Sequence, residues 1–266
     1  LDQTYEDFEF IILNDGSIDN SLNIINEFAQ KDERIVFIDG QKEGLTKKLN
    51  LGIKKSSFNF IARQDSDDIS HKDRLMKQIE FFKANPDYAL CGTFAEIINN
   101  KDNLIKKNNS VYRDNDIKKK LNYSNIFIHP SVMINKSKIY NLKYDERYSV
   151  SQDYDLWTRI IRNNKCYIIP KYLIKNRRHK TNISKNFSLS QEKNSILIGF
   201  LYKFNLELPK FKIDDTAKSF DQIISHFSSK DENYKEDLIV RKYVYLYKII
   251  PTISILRFKM KFLRKI

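Results

Sequence analysis

Three carboxylates, Asp65, Asp67 and Asp68, lie within four positions of the stretch NFIARQDSDDIS. They directly follow the apolar run FNFIA, which has the composition of a buried strand. In an open parallel sheet, ligands bind outside the carboxyl ends of the strands. Clustered carboxylates repel one another unless a cation neutralises them, and oxygen-only ligands favour Mg²⁺ or Mn²⁺. The cluster therefore predicts a metal–diphosphate site, and the alternative is a solvated acidic turn before a helix near Asp73.

Further candidates for chemistry lie elsewhere in the chain. Asp15, in NDGSIDN, ends another predicted strand, and Gly16 allows a tight turn there. Asp153, in SQDYDLW, lies in the first turn of a predicted helix, where the dipole stabilises an ionised carboxylate that could act as a general base. Arg178 and His179 belong to a basic cluster suited to a diphosphate leaving group. Read alone, Asp15 is better explained by a plain turn that caps a helix, and Asp153 is explained at least as well by an ordinary helix start. A basic loop such as the one with Arg178 and His179 is usually just solvated.

The elements that position these residues alternate in the first hundred positions. FEFIILND, RIVFID, FNFIARQ and YALCGTFAEII read as strands. Helices are predicted after Asp19, which we expect to be an N-cap, in LTKKLNLGIKK and over positions 73–85. This alternation predicts an α/β fold with a mostly parallel sheet and helices on both faces.

The second half of the chain is less regular. Residues 100–115 are polar and predict a loop, IFIHPSVMI predicts a strand, and SQDYDLWTRIIRN predicts a helix. CYIIPKYLIKNRRHK predicts an extended segment, and Pro170 suggests that it is an edge strand. From Ser188 onward the pattern is helical.

Composition narrows the classes of protein. The 266 residues are 41% hydrophobic and 30% charged, which describes a soluble globular protein, and no apolar run approaches the length of a membrane span. A net charge of +13 predicts an anionic partner, such as a nucleic acid, a membrane surface or a phosphate-rich substrate. The two cysteines, Cys91 and Cys166, match no metal spacing and favour a reducing, cytoplasmic setting.

Taken together, four segments carry a family resemblance. QTYEDFEFIILNDGSIDNS, GLTKKLNLGIKKSSFNFIARQDSDD, HPSVM and SQDYDLW resemble family 2 glycosyltransferases of the GT-A fold, in particular bacterial enzymes that build capsular, O-antigen or lipooligosaccharide chains. IARQDSDD is a near match to the IARMDADD form of that branch. The resemblance implies a hexosyltransferase-type enzyme, with Mn²⁺ or Mg²⁺ as cofactor. Such an enzyme moves a sugar, with inversion, from a nucleotide-sugar, usually UDP-linked, to a hydroxyl of a glycan or lipid-linked oligosaccharide.

The resemblance also implies roles for the donor-site residues. Asp15 matches the carboxylate that contacts the base. Asp65 and Asp67 match an Asp-x-Asp pair, the first directed to the ribose and metal and the second to the metal, while Asp68 neighbours the donor sugar.

The remaining roles concern the reaction itself. Asp153 matches the general base of a Glu-Asp motif, although Gln152 replaces the usual Glu. His179 matches a motif near the diphosphate. Together with the metal, Arg178 and His179 would stabilise the negative charge that grows on the leaving group.

The resemblance divides the chain into a nucleotide-sugar-binding part (1–113), an acceptor and catalytic part (114–186) and a basic helical extension (187–266). The extension could lie on an anionic membrane surface near lipid-linked acceptors, or it could cap the core. Family members begin with a strand and a helix that this sequence lacks. Because that strand would be central in the sheet, we expect a fragment about 30 residues short, whose own activity is open to test.

Two other functions fit parts of the sequence. Phosphatases and phosphotransferases of the haloacid dehalogenase type also place Asp-x-Asp after a strand, but the sequence shows no convincing Gly-Asp-Gly-type partner after Asp68. A non-enzymatic nucleic-acid binder would fit the charge, but the sequence has no RNA-recognition or helix-turn-helix signature.

Overall fold

The computed structural model describes residues 1–179 and 188–207, and beyond them residues 225–227, 229, 231, 234 and 237. Most of the predicted basic extension therefore lies outside the described residues. Its first helix is described, and its bounds are given below.

The polypeptide begins with a small parallel β-sheet. Strands β1 (Phe10–Leu13) and β2 (Ile35–Ile38) pair in register and are joined by helix α1 (Ser21–Ala29). The N-cap of α1 is Asn20 and not Asp19, whose carboxylate instead accepts a hydrogen bond from the backbone of Ser21. Helix α2 (Leu45–Lys55) follows and packs against β1. Among the described residues, β1 pairs with β2 only.

The larger sheet contains six strands and is mixed. It comprises β3 (Phe60–Ala62), β4 (Ile69–Ser70), β5 (Tyr88–Ile98), β6 (Leu104–Asn108), β7 (Met133–Asn135) and β8 (Lys165–Arg177). Their order is β3-β7-β5-β8-β4, with β6 paired to β5. Only β5 and β8 are parallel, so the α/β class is confirmed while the mostly parallel sheet is not. The four antiparallel pairs, β3 with β7, β4 with β8, β5 with β6 and β5 with β7, make this sheet mixed.

Helices cover both faces of the larger sheet, as expected. Helix α3 (Arg74–Ala84) packs its Ile79 and Phe82 with Cys91 of β5. The adjacent residue of β5, Leu90, belongs to the opposite core, where α4 (Asp114–Leu121) and α5 (Gln152–Ile161) place Leu121 and Trp157. Successive strand residues point to opposite faces, so a single central strand stabilises both cores. Helix α6 (Ser188–Lys203) packs on α5.

Several local predictions were wrong for identifiable reasons. Within the predicted polar loop 100–115, β6 forms as a largely exposed strand, and α4 begins at Asp114. IFIHPSVMI forms a short 3₁₀ helix, His129–Ser131, before the brief strand β7. β8 is not an edge strand: it lies between β5 and β4, and a register shift near Pro170 accommodates the missing backbone N–H.

Candidate active site

The acidic turn, residues 65–68, connects β3 to β4 and lies where β3 ends. A buried network underneath it fixes its shape. The side-chain amide of Gln64 donates to the carbonyls of Asp65 and Asp68, at 2.9 and 3.0 Å. The guanidinium of Arg74, which is only 1% exposed, donates to the Gln64 side chain at 2.9 Å and to the Ser70 hydroxyl at 3.0 Å. The turn is thus held by α3 from below.

Asp67 and Asp68 meet the end of β8, which also supplies the basic cluster. His179 Nε2 lies 2.9 Å from Asp67 Oδ2. The Asp68 carboxylate accepts hydrogen bonds from the Asn176 side chain at 2.9 Å and from the Arg177 backbone at 2.7 Å. Two of the predicted clusters, separated by about 110 positions, are therefore in direct contact.

The three carboxylates of the turn each have a separate partner. The pKa of Asp68 is raised to about 6, mainly by burial and also by the neighbouring Asp65 and Asp67, although the hydrogen bonds from Arg177 and Asn176 oppose the rise. The mutual repulsion of these carboxylates therefore persists at Asp68 despite its hydrogen bonds.

Asp65 pairs with a residue that sequence reasoning overlooked. Nη2 of Arg63 forms an ion pair with Asp65 Oδ1, and the Arg63 side chain is only 9% exposed. Residues two apart in an extended chain point to the same side, so the spacing of Arg63 and Asp65 was a signal for this contact. Arg177, a member of the predicted basic cluster, donates from its Nε to the Asp67 carbonyl at 2.8 Å. Arg178 is exposed, and its backbone N–H donates to the Ile98 carbonyl of β5. Its role in stabilising the leaving diphosphate stays a prediction.

The donor set of the acidic turn fits a hard divalent cation. Asp65 and Asp67 offer carboxylate oxygens that are about one-third exposed. Mg²⁺ shared with a diphosphate needs only one or two protein carboxylates. Among the residues described, no group of three or more His, Cys, Asp or Glu side chains is arranged to hold a metal ion without such a shared ligand.

Asp15 lies at the carboxyl end of β1, next to the start of α2. Its carboxylate accepts hydrogen bonds from the backbone of Glu43 at 2.7 Å and of Gly44 at 3.0 Å. The buried ammonium of Lys48 lies 2.9 Å from Glu43 and 3.8 Å from Asp15. Gly16 has a φ of +72°, and a Cβ there would lie 2.9 Å from a backbone nitrogen, so the tight turn requires glycine.

Asp153 occupies the first turn of α5, as predicted. Its Oδ2 accepts a hydrogen bond from the Asn125 side chain at 2.7 Å. Burial raises the pKa of Asp153, while the backbone of Tyr154, the Asn125 bond and the charge of Arg63 lower it. A carboxylate with a raised pKa is a better proton acceptor near neutral pH than an ordinary aspartate.

Two further contacts link helix α2, which follows Asp15, to the segments that precede α5. Asn50 of α2 exchanges hydrogen bonds with the backbone of Tyr144, at 2.8 and 3.1 Å. The Tyr144 hydroxyl lies 2.8 Å from His129 of the HPSVM segment. Burial, and to a lesser extent the charge of Arg63, lowers the pKa of His129, which favours the neutral imidazole.

Comparison with known proteins decides the family. The model of the family described as Glycosyl transferase family 2 matches residues 1–149, more than half of the chain. The chain belongs to this family.

Curated relatives of the chain are also named as glycosyltransferases. An uncharacterized glycosyltransferase of Methanocaldococcus jannaschii is 36% identical over 179 residues, covering 66% of this chain and 62% of the relative. The O-antigen biosynthesis glycosyltransferase WbnJ of Escherichia coli is 35% identical over 168 residues, covering 62% of this chain and 64% of WbnJ. The chain thus spans less than two-thirds of the length of these relatives.

Solved structures confirm the GT-A fold. S. aureus TarS residues 1–349, in complex with UDP-GlcNAc, superposes with a TM-score of 0.60 at 14% identity, covering 92% of this chain and 74% of that one. The mannosyltransferase PcManGT of Pyrobaculum calidifontis, in complex with GDP-Man and Mn²⁺, gives 0.54 at 10% identity, covering 98% and 72%. A family 2 glycosyltransferase is an enzyme, so the family assignment favours a transferase over a phosphatase or a nucleic-acid binder.

Proposed function

We propose that the chain carries the donor site and general base of an inverting, metal-assisted glycosyltransferase that uses a nucleotide-sugar. The observation that carries this proposal is the meeting of the acidic turn with the end of β8, where Asp67 contacts His179 and Asp68 contacts Asn176. Carboxylates beside basic and amide groups suit a cation shared with a diphosphate.

The proposed donor is UDP-linked. Asp15 would contact the base, Asp65 the ribose and cation, Asp67 the cation, and Asp68 the donor sugar. TarS was solved with UDP-GlcNAc and PcManGT with GDP-Man, so both bases belong in the test.

The proposed acceptor is a hydroxyl of a growing surface glycan. WbnJ is named for O-antigen biosynthesis, and AmsE of Erwinia amylovora, 27% identical over 77% of each chain, is named for amylovoran biosynthesis. Both names concern bacterial polysaccharides, which supports this class of acceptor.

The proposed reaction is a single displacement. The acceptor oxygen attacks the anomeric carbon, the bond from that carbon to the diphosphate oxygen breaks, and Asp153 takes the hydroxyl proton, so the configuration inverts. Held by Asp65 and Asp67, a bound cation would supply charge neutralisation for the departing diphosphate. His179 and Arg178 would donate hydrogen bonds to the same group.

We place the reaction at the cytoplasmic face of the membrane, with the basic extension 187–266 as a peripheral anchor. The supporting observation is the net charge of +13. Among the described residues, no helix is long and apolar enough to cross a membrane. A chain that stays wholly soluble in flotation with anionic vesicles would contradict the anchor.

The test is nucleotide release from a panel of UDP- and GDP-sugars, with Mn²⁺ or with EDTA, using both this chain and a form extended at its N-terminus. We expect metal-dependent release from a UDP-sugar, and loss of transfer in Asp153→Asn. Activity that is independent of metal, or phosphate release from simple phosphomonoesters, would contradict the proposal. Equal turnover by the two forms would contradict the expectation that a preceding strand is needed.

A further inference from the structure

The guanidinium of Arg63 is unusual because it is both buried and incompletely paired. Nη2 contacts Asp65, but Nε and Nη1 are covered, and among the described residues no acceptor lies within hydrogen-bonding distance of either atom. Buried donors in proteins are nearly always paired, so such a group calls for an explanation.

Arg63 is fixed in place by its backbone. Its N–H donates to the Val132 carbonyl at 2.9 Å, and its carbonyl accepts from Arg74 Nη2 at 2.7 Å. The pKa of Arg74 is lowered to about 10, mainly by burial and also by the charge of Arg63. Two buried cations therefore lie side by side, which is unfavourable unless anions neutralise their charge.

The charge of Arg63 acts on both halves of the site. It pairs directly with Asp65 on the acidic turn. It also lowers the pKa of Asp153, against the effect of burial. Arg63 thus pairs with the carboxylate assigned to the cation and acts through its charge on the carboxylate assigned to the acceptor proton.

We propose that Arg63 is a positioning residue that neutralises Asp65 while no divalent cation is bound and remains as the counter-charge of Asp153 after a cation replaces it on Asp65. This inference rests on the proposed metal-assisted function. Sequence reasoning assigned the counter-charge of the acidic turn to a cation alone. The structure adds a resident cation, the guanidinium, which competes for the same oxygen.

Competition has a consequence that a purely structural role lacks. A divalent cation bound to Asp65 Oδ1 would weaken the contact of that oxygen with Arg63, because the two positive charges repel each other. Removal of Arg63 should therefore strengthen cation binding while it weakens catalysis. A residue that only supported the fold would weaken both when it was removed.

The experiment measures free Mn²⁺ by electron paramagnetic resonance during titration of the whole chain without nucleotide. We expect Arg63→Met to bind Mn²⁺ roughly two- to five-fold more tightly than the wild type, the range of an ion pair that is partly open to solvent. Arg63→Lys, which keeps the charge, should lie between the two. Turnover of the saturated enzyme should fall at least about ten-fold in Arg63→Met.

A matched control is Arg34→Met. Arg34 also pairs with an aspartate, Asp32, at 2.7 Å, but it precedes β2 at the end of the strand away from the site. Its variant should bind Mn²⁺ as the wild type does.

Mn²⁺ affinity that is unchanged or weaker in Arg63→Met, in protein that melts at the wild-type temperature, would overturn the inference. If Arg63→Met does not fold, Arg63→Lys decides by the same criterion. The two proposals fail differently. A wild type that binds no Mn²⁺ and releases no nucleotide contradicts both proposals. A wild type that binds Mn²⁺ and releases nucleotide, together with an Arg63→Met variant of unchanged Mn²⁺ affinity, contradicts this inference alone.

Discussion

His179 Nε2 lies 2.9 Å from Asp67 Oδ2, across 112 positions of sequence. The contact places an imidazole on the carboxylate that would hold a cation, beside the proposed diphosphate. His179→Ala should raise the KM for the donor roughly ten-fold, because a hydrogen bond to a charged group contributes about 1.5–3 kcal/mol. Initial rates at varied donor concentration would measure this.

The control for this change is His71→Ala. His71 is about half exposed and lies beside Asp73. An equal rise in KM in both variants would show that the effect is not specific to His179.

Asn125 should tune the proposed base. Its side chain donates to Asp153 and thereby lowers the pKa of that carboxyl, whereas burial raises it. In Asn125→Ala the pKa of Asp153 should rise further, so the base becomes ionised only at higher pH. The acidic limb of the plot of kcat/KM against pH should move to higher pH, while the plateau changes little.

Asp153→Asn removes the proposed base altogether and so gives the largest loss expected at this position. Turnover should fall roughly 10²–10⁴-fold, and donor binding should be retained. Asn163→Ala, at an exposed position just after α5, is the matched control for Asn125→Ala. An acidic limb that stays in place in Asn125→Ala would contradict the role of Asn125.

Asp15 stabilises the fold and is also proposed to contact the nucleotide base. Because it accepts hydrogen bonds from the backbone at the start of α2, Asp15→Ala should cost about 1 kcal/mol of unfolding free energy, as the loss of a helix cap does. It should also weaken UDP binding. Asp19→Ala, which removes an exposed carboxylate that bonds only locally to Ser21, is the control.

Denaturant melts and UDP titration by calorimetry would separate the two effects of Asp15→Ala. Stability lost with UDP affinity intact would contradict the contact with the base.

Sequence patterns predicted the local positions of the candidate residues better than they predicted the pairing of the sheet. Asp65 follows a strand and Asp153 lies in the first turn of a helix, as predicted, because strand ends and helix starts can be read locally. Their roles stay predictions. The position of β8 could not be read, because Pro170 normally indicates an edge and only tertiary pairing shows the bulge that accommodates it. β6 was missed because its exposed, lysine-rich residues have the composition of a loop.

The partners of the carboxylates were the hardest part to predict. His179 and Asn176 reach the acidic turn only through the parallel pairing of β5 with β8, which brings together residues far apart in sequence. Composition does not encode that register. Arg63 was the exception, since its spacing from Asp65 was visible in the sequence.

Asp68 should make the stability of the metal-free protein depend on pH. Its pKa is raised to about 6 in the folded chain from an ordinary 3.8, mainly by burial. The folded state therefore binds more protons than the unfolded state between about pH 4 and 6, and the free energy of unfolding falls as pH rises through that window. Asp68→Asn removes this penalty, so in EDTA the variant should gain stability relative to the wild type as pH rises.

The expected gain is about 1 kcal/mol at pH 7, well below the full shift, because Asp68 is partly open to solvent and the variant weakens its bonds to Arg177 and Asn176. Thermal melts at pH 4.5 and pH 7 would measure it. Asp87→Asn removes an exposed carboxylate that pairs with Lys165 at 3.4 Å and should change stability little at either pH. A stability difference for Asp68→Asn that is constant across the two pH values would mean that Asp68 is ionised throughout, and that its neighbours already neutralise the acidic turn.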